Sequence, residues 1–100
     1  MKPVLFSNRS RKDLFDIRIH TESVWSRKQA VRYLNLLLDE CFSIPGREDI
    51  VSYPEYKDYH YSHCGHHFVF FRSTACDIRI VRILHERMSF ARHLGGQECR

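Results

Sequence analysis

The feature that most constrains this sequence is a stretch of helical periodicity between residues 30 and 42. Apolar side chains recur there at steps of three and four residues, which places them on one face of a helix. They are Ala30, Tyr33, Leu34, Leu37, Leu38, Cys41 and Phe42. Ser26, with Gln29 three residues later, predicts the start of this helix, and residues 43–46 (Ser-Ile-Pro-Gly) predict its end. Such a helix needs another apolar surface to pack against.

The segment before this helix predicts a short strand followed by a first helix. Residues 3–6 are apolar, and Ser7-Asn8 supplies a helix N-cap, so that the helix begins near Arg9 and continues to about Glu22. Leu14 and Ile17, with Phe15 as a weaker candidate, form its apolar face. The charged residues are expected to face solvent; they are Arg11, Lys12, Asp13, Asp16 and Arg18.

The second half of the chain has β character. Residues 47–57 predict a loop, and strands are expected at 59–63, 67–72 and 77–85, joined by turns at 64–66 and 73–75. Both faces of the last strand are mainly aliphatic, which is typical of a central strand. Simple alternation places Arg79 and His85 on one face and Arg82 on the other. A short C-terminal helix is expected over 86–94.

The composition limits the architecture to one domain. A chain of 100 residues with 43% hydrophobic content supports one core, so we expect a single domain over 1–100. No stretch approaches the roughly 20 apolar residues of a membrane span, which predicts a cytoplasmic protein without membrane contact. In that compartment the four cysteines are expected to be free thiols, with Cys41 and Cys76 in the core. An excess of arginine over residues 71–100 favours anionic partners.

One cluster invites a metal interpretation, but its spacing argues against it. The cluster comprises His60, His63, Cys64, His66 and His67. Neighbouring residues of a strand point to opposite faces, and the paired spacing of structural zinc sites is missing. We therefore expect neither a metal nor a cofactor.

Two runs in the β half carry a resemblance to a known family. Residues 65–72 read Gly-His-His-Phe-Val-Phe-Phe-Arg, and residues 80–88 read Ile-Val-Arg-Ile-Leu-His-Glu-Arg-Met. With Asp13-Leu14 in the first helix and residues 25–34 opening the second, they resemble the RelE/ParE toxins of type II toxin–antitoxin systems, the ParE branch most. The resemblance implies an α+β fold in which an N-terminal strand and a two-helix hairpin pack on a twisted antiparallel sheet, followed by the short C-terminal helix.

The resemblance also implies a function and partners. ParE toxins inhibit DNA gyrase by stabilising its cleavage complex with DNA, and a cognate antitoxin, here ParD-like, neutralises them. On this interpretation the chain performs no covalent chemistry and binds no specific nucleic-acid sequence. Grooves beside the two helices would accept an antitoxin segment, a helix followed by a strand that extends the sheet. The residues expected to bind the target are Arg82, His85, Arg87, Met88 and Arg92.

Two alternatives stay open at this point. RelE-type relatives cut messenger RNA on the ribosome, and such an activity would use His85 with Arg72, Arg79 or Arg82 as acid, base and phosphate-binding cations. Against it, the sequence has no lysine after Lys57 and no tyrosine after Tyr61. His85 could equally serve only to bind the backbone at the end of its strand. A member that has lost activity and binds only its antitoxin is the other alternative.

Overall fold

The computed structural model describes residues 2–46, 51–52 and 59–88. The elements are β1 (Val4–Phe6), α1 (Asn8–Val24), α2 (Arg27–Ser43), a 3-10 turn (Ile44–Gly46), β2 (Val51–Ser52), β3 (His60–Cys64), β4 (His67–Ser73) and β5 (Ile78–His85). The predicted helices and strands are confirmed to within about two residues. The loop prediction for residues 47–57 is wrong at β2, because those two residues pair with β3. The predicted C-terminal helix does not begin at Glu86, since residues 86–88 form a turn, and residues 89–94 lie outside the described ranges.

Helix caps explain where both helices begin. The Ser7 side chain accepts a hydrogen bond from the Ser10 backbone N–H at 3.0 Å, and Ser26 accepts one from the Gln29 N–H at 3.1 Å. Each cap satisfies an N–H group that has no partner within its helix, which fixes the first turn. Both caps were predicted from the sequence.

The strands form one mixed sheet of order β1-β5-β4-β3-β2. β1 runs parallel to β5, and the other neighbouring pairs are antiparallel. The architecture is α+β, as predicted, with β5 in a central position.

Apolar clusters lie on both faces of the sheet. The larger one joins the sheet to the two helices and includes Ile17, Leu37, Cys41, Val69, Phe71 and Ile80. The smaller one, Tyr59, Phe70 and Leu84, is formed by residues of the opposite face. Cys41 is in the core as predicted, whereas Cys76 is exposed, contrary to the prediction, because it lies in the turn before β5.

β5 contains a bulge that changes which side chains share a face. Phe70 lies opposite Arg82 and Phe71 opposite Ile80, so Val81 has no partner across the β4–β5 ladder. An extra residue shifts the alternation by one. Ile83 consequently joins the cluster beneath the helices, and Leu84 joins the opposite one.

The bulge overturns the predicted grouping of Arg79 with His85. Arg79 lies opposite Arg72, whose guanidinium stacks over the Tyr59 ring of the smaller cluster. His85 lies opposite His67, which contacts Tyr33 of α2. Arg79 and His85 therefore occupy opposite faces of the sheet.

The helices show no membrane-spanning character. Within the described ranges, neither helix combines the length and the apolar character needed to cross a bilayer.

Candidate functional site

A buried ion pair joins α1 to β5. β1 ends at Phe6, and beyond that point Asp13 of α1 provides the hydrogen-bond acceptor that a strand would otherwise supply. Its carboxylate accepts bonds from Arg82 Nε at 2.8 Å, from Arg82 Nη2 at 3.1 Å and from the Ile83 backbone N–H at 2.9 Å. The exposed fractions are 9% for Asp13 and 4% for Arg82. The prediction that Asp13 faces solvent is therefore wrong.

This ion pair also changes the assignment of Arg82. The guanidinium was expected to bind the target or, in the alternative, an RNA phosphate. Instead it is buried and held by both oxygens of Asp13, an arrangement that stabilises the fold. We therefore leave Arg82 out of the target-binding set.

The β3–β4 turn is anchored to α2 by one tyrosine. Gly65 has φ of 60°, a left-handed conformation that glycine adopts at low cost. The Tyr33 hydroxyl accepts the His66 backbone N–H at 3.0 Å and lies 2.7 Å from His67 Nδ1. A Cβ at position 65 would lie 2.8 Å from the Tyr33 ring. Only glycine permits this close approach without displacement of the tyrosine.

The His67 imidazole stays neutral near physiological pH. Burial, with smaller contributions from His85 and His66, lowers its pKa to about 4. Burial also raises the pKa of Tyr33, so its hydroxyl keeps its proton. We infer that the hydroxyl donates to Nδ1 and that the His67 proton resides on Nε2. The His85 ring packs edge-to-face against the His67 ring, with the ring centroids 5.1 Å apart.

The chain leaves β5 through a short turn of four residues, His85 to Met88, which we call the 85–88 turn. His85 Nδ1 accepts the Arg87 backbone N–H at 3.1 Å, and the His85 carbonyl accepts the Met88 N–H at 2.9 Å. The Glu86 N–H donates to the His66 carbonyl at 2.9 Å, which ties the turn to the β3–β4 hairpin. Arg87 and Met88 are exposed, Met88 to 46%.

The Glu86 carboxylate adds two further ties to the hairpin. Its oxygens lie 3.4 Å from His63 Nε2 and 3.2 Å from His66 Nδ1. The hydrogen bond from His66 is the main reason why the pKa of Glu86 is lowered.

A groove runs along this end of the molecule. A cavity of about 720 Å³ lies between the C-terminal end of α1, α2 and the β3–β4 turn, and Val24, Trp25 and Leu36 line its apolar part. A second cavity of about 580 Å³ includes Arg87 and Met88 in its lining. The residues common to both linings are His20, Thr21, His67 and His85. We call the two cavities together the histidine groove.

The predicted site residues divide into separate places. His85, Arg87 and Met88 meet in the 85–88 turn, and Arg92 lies outside the described residues. Arg79 binds Asp77 at 3.1 Å on the other face of the sheet, where Arg72 stacks over Tyr59 at 4.7 Å. The proposed nuclease set is thus split between two faces. Among the described residues, the histidines and cysteines form no group able to hold a metal ion.

Sequence comparison identifies the family to which this fold belongs. Residues 4–90 match the family model described as the ParE toxin of the type II toxin–antitoxin system parDE. The chain belongs to the ParE toxin family. Toxin ParE1 of Caulobacter vibrioides is 33% identical over 97 residues, which cover 95% of this chain and 100% of that protein. The predicted resemblance to the ParE branch is confirmed.

Solved structures show the same fold as this ParE toxin. A structure of the chromosomal ParDE system from P. aeruginosa superposes with a TM-score of 0.73 at 15% identity, covering 85% of this chain and 96% of that one. The E. coli DinJ–YafQ complex superposes with a TM-score of 0.51 at 16% identity, covering 90% and 99% of the two chains. At this identity the likeness concerns the fold alone.

Proposed function

We propose that this ParE toxin inhibits DNA gyrase by stabilising the gyrase–DNA cleavage complex, and that a ParD-like antitoxin neutralises it. Membership of the ParE family over residues 4–90 is the observation that carries the proposal. The relative in Caulobacter vibrioides is itself named a ParE toxin.

The 85–88 turn is the proposed contact with the target. Arg87 and Met88 are exposed next to His85, so a cation and a flexible apolar side chain share one small surface. Such a pair suits a protein surface, where arginine and methionine are enriched at interface cores. Backbone hydrogen bonds within the turn, and one from Glu86 to the hairpin, order this segment, which lowers the conformational entropy lost on binding. Arg92 remains part of the proposal as a sequence prediction.

The arrangement favours binding over RNA cleavage. Metal-free cleavage needs an acid, a base and cations around one phosphate. His85 lies on the helix side of the sheet, while Arg72 and Arg79 lie on the other side, and Arg82 is committed to Asp13. This separation supports a toxin that acts by occupying its target.

The proposed antitoxin site combines the histidine groove with the β1 edge of the sheet. Trp25 is 67% exposed and Leu36 50% exposed, and both line the same cavity, as in many protein interaction sites. β1 is an edge strand with β5 as its neighbour, so its outer side can pair with an added strand. An amphipathic helix in the groove, continued by a strand along β1, would cover both.

A pair of parallel assays tests the target. Purified gyrase is assayed for supercoiling and for DNA cleavage, and a translating ribosome extract is assayed for cut messenger RNA. We expect cleaved plasmid to accumulate while the messenger stays intact. Arg87→Ala and Met88→Ala should each weaken gyrase inhibition about tenfold or more, the loss expected for an interface hot spot. The matched control is Arg79→Ala on the opposite face, which should inhibit normally. Cut messenger with unaffected gyrase would refute the proposal.

Co-purification tests the antitoxin. The toxin is co-expressed with a candidate ParD-like antitoxin, and the complex is isolated by size exclusion. The double variant Trp25→Ser, Leu36→Ser should bind at least tenfold more weakly, because two buried apolar contacts are lost. Phe15→Ser is the control, since Phe15 is 56% exposed on α1 and does not line the groove. If Phe15→Ser weakened antitoxin binding as much as the double variant does, the assignment of the groove as the antitoxin site would be contradicted.

A further inference from the structure

We propose that Glu86 is a positioning residue, a proton-dependent clasp between His63 and His66 that holds the 85–88 turn in the conformation that presents Arg87 and Met88. The inference rests on the proposed function, because target contact by this turn is part of that proposal. It adds a regulatory property and three residues that the target-binding set does not contain.

The geometry of the clasp joins the end of β5 to the β3–β4 hairpin at three points. One carboxylate oxygen of Glu86 faces His63 Nε2 at 3.4 Å, and the other faces His66 Nδ1 at 3.2 Å. The Glu86 backbone N–H binds the His66 carbonyl at 2.9 Å. A single residue therefore makes both side-chain and main-chain contacts to the hairpin.

Both imidazoles are held in place before they meet the carboxylate. His63 stacks on the Phe68 ring with centroids 4.4 Å apart and an interplanar angle of 14°. His66 belongs to the turn that Tyr33 anchors to α2, and its ring lies nearly parallel to that of His85 at 6.4 Å. Preorganised partners reduce the entropy lost when the clasp forms.

The clasp controls the residues that follow it. Arg87 and Met88 come immediately after Glu86, and their own described backbone bonds, to His85, lie within the turn. Beyond His85, which pairs with His67 in the β4–β5 ladder, the contacts of Glu86 connect this turn to the hairpin. Without the carboxylate, the turn would keep its internal bonds and the pairing of His85 with His67, but Glu86 would lose two of its three ties to the hairpin.

The clasp is expected to depend on pH because the Glu86 carboxylate lies between two imidazoles, those of His63 and His66. Imidazoles gain charge as the pH falls through the neutral range, which converts the two side-chain contacts into ion pairs. The other titratable or charged groups that line the two cavities at this end come from α1, α2, β4, β5 and the turn; they are Asp13, Asp16, His20, Arg32, Tyr33, Asp39, His67, His85 and Arg87. His67 and Tyr33 stay neutral here, because burial lowers the pKa of His67 to about 4 and raises the pKa of Tyr33.

The clasp is expected to tighten as the pH falls from 8 to 6. The hydrogen bond from His66 lowers the pKa of Glu86, so the carboxylate keeps its charge below the ordinary glutamate range near pH 4.3. Histidine side chains in general change charge between pH 5 and 8. The clasp is therefore expected to be tighter at pH 6 than at pH 8.

The first measurement is amide hydrogen exchange by NMR on the isolated toxin at pH 6 and pH 8. Protection factors, corrected for the intrinsic pH dependence of exchange, are compared for the Glu86 and Met88 amides. In the wild type we expect about threefold to fivefold more protection at pH 6, the size of effect that two solvent-exposed ion pairs produce. Glu86→Gln should abolish this difference. The control is Glu22→Gln, whose carboxylate pairs with Arg18 and Arg27 on the helices.

The second measurement is gyrase inhibition by the wild type and by Glu86→Gln at both pH values. Taking the ratio of the two inhibitory concentrations removes the pH dependence of gyrase itself. The wild type should be about threefold to fivefold more potent than Glu86→Gln at pH 6 and nearly equal to it at pH 8, for the same reason. A residue with only a structural role would change potency equally at both.

The outcomes separate the two proposals. Protection that does not change with pH, or that changes equally in Glu86→Gln, overturns the clasp while leaving gyrase inhibition through Arg87 and Met88 intact. If Arg87→Ala and Met88→Ala inhibit gyrase as strongly as the wild type, the proposed target contact fails and the presenting role of Glu86 fails with it.

Discussion

Replacement of Asp13 by alanine should destabilise this toxin more than any surface change on the same helix. The substitution leaves the Arg82 guanidinium buried without its carboxylate and removes the acceptor of the Ile83 N–H. Loss of one partner from a buried ion pair costs about 3–5 kcal/mol. The total for a domain of this size is about 5–15 kcal/mol, so the variant should lose a large part of its stability. Urea unfolding of the isolated toxin, followed by circular dichroism, measures the free energy directly.

Two further variants test whether the loss of stability comes from an unpaired buried charge. Asp16→Ala removes a carboxylate from the same helix, but Asp16 and its partner Lys12 are both 60% exposed, so the expected loss is below about 0.5 kcal/mol. Asp13→Leu combined with Arg82→Met removes both charges and should recover most of the loss, since no unpaired charge remains. About 1–3 kcal/mol should persist, because the Ile83 N–H still lacks an acceptor. A cost below about 1 kcal/mol for Asp13→Ala would refute the assignment of this pair as a major stabilising contact.

Two more predictions concern the β3–β4 hairpin. Gly65→Ala should cost about 2–3 kcal/mol in urea unfolding, because alanine is strained at φ 60° and its Cβ would displace the Tyr33 hydroxyl from His66 and His67. In a Tyr33→Leu background the same substitution should cost less. If the free-energy losses of the two substitutions simply added, the contact between residue 65 and Tyr33 would be contradicted. His67 has its pKa lowered to about 4 in the fold, so the stability gained from its neutral form is complete above about pH 6.5 and is lost as the pH falls toward 4. The urea midpoint of the wild type should therefore drop more between pH 7.5 and pH 5 than that of His67→Gln, and parallel curves would show that His67 does not carry the effect.

The sequence predicted the bounds of the helices and strands well, because helix caps and strand alternation depend on residues that are close in the chain. Ser7 and Ser26 cap the helices as their positions indicated, and the alternation in β3 and β4 set the strand bounds. The family resemblance rested on the contiguous run 80–88, which the structure places on β5 and the 85–88 turn.

The errors arose where a single residue depends on a distant partner. Alternation was counted through Val81 as though it were paired, and one bulge was enough to reverse the side of every later residue in β5. Asp13 was predicted to face solvent, although its spacing from Ser10 and Ile17 places it on the buried face of α1. An arginine amid the aliphatic residues of β5 was the available sign that a buried carboxylate would be needed.

The histidines near the 85–88 turn could not be grouped from sequence. His63 and His66 were considered as metal ligands, but their partner is Glu86, which approaches only after the β3–β4–β5 ladders have formed. Likewise, the contact between Tyr33 and His67 spans 34 residues and has no local signal. Side-chain networks of this kind are set by tertiary packing.

The pairing of β1 with β5 has a consequence for biosynthesis. Val4–Phe6 can dock only when residues 78–80 are available, so the first strand made must wait for the last described one. Contacts of such long sequence separation slow folding, and domains assemble as they emerge from the ribosome. A nascent chain that lacks β5 cannot complete its sheet or place Asp13 against Arg82. The cell thus has an interval, set by translation of the residues between β1 and β5, in which the antitoxin can be present before a folded toxin exists.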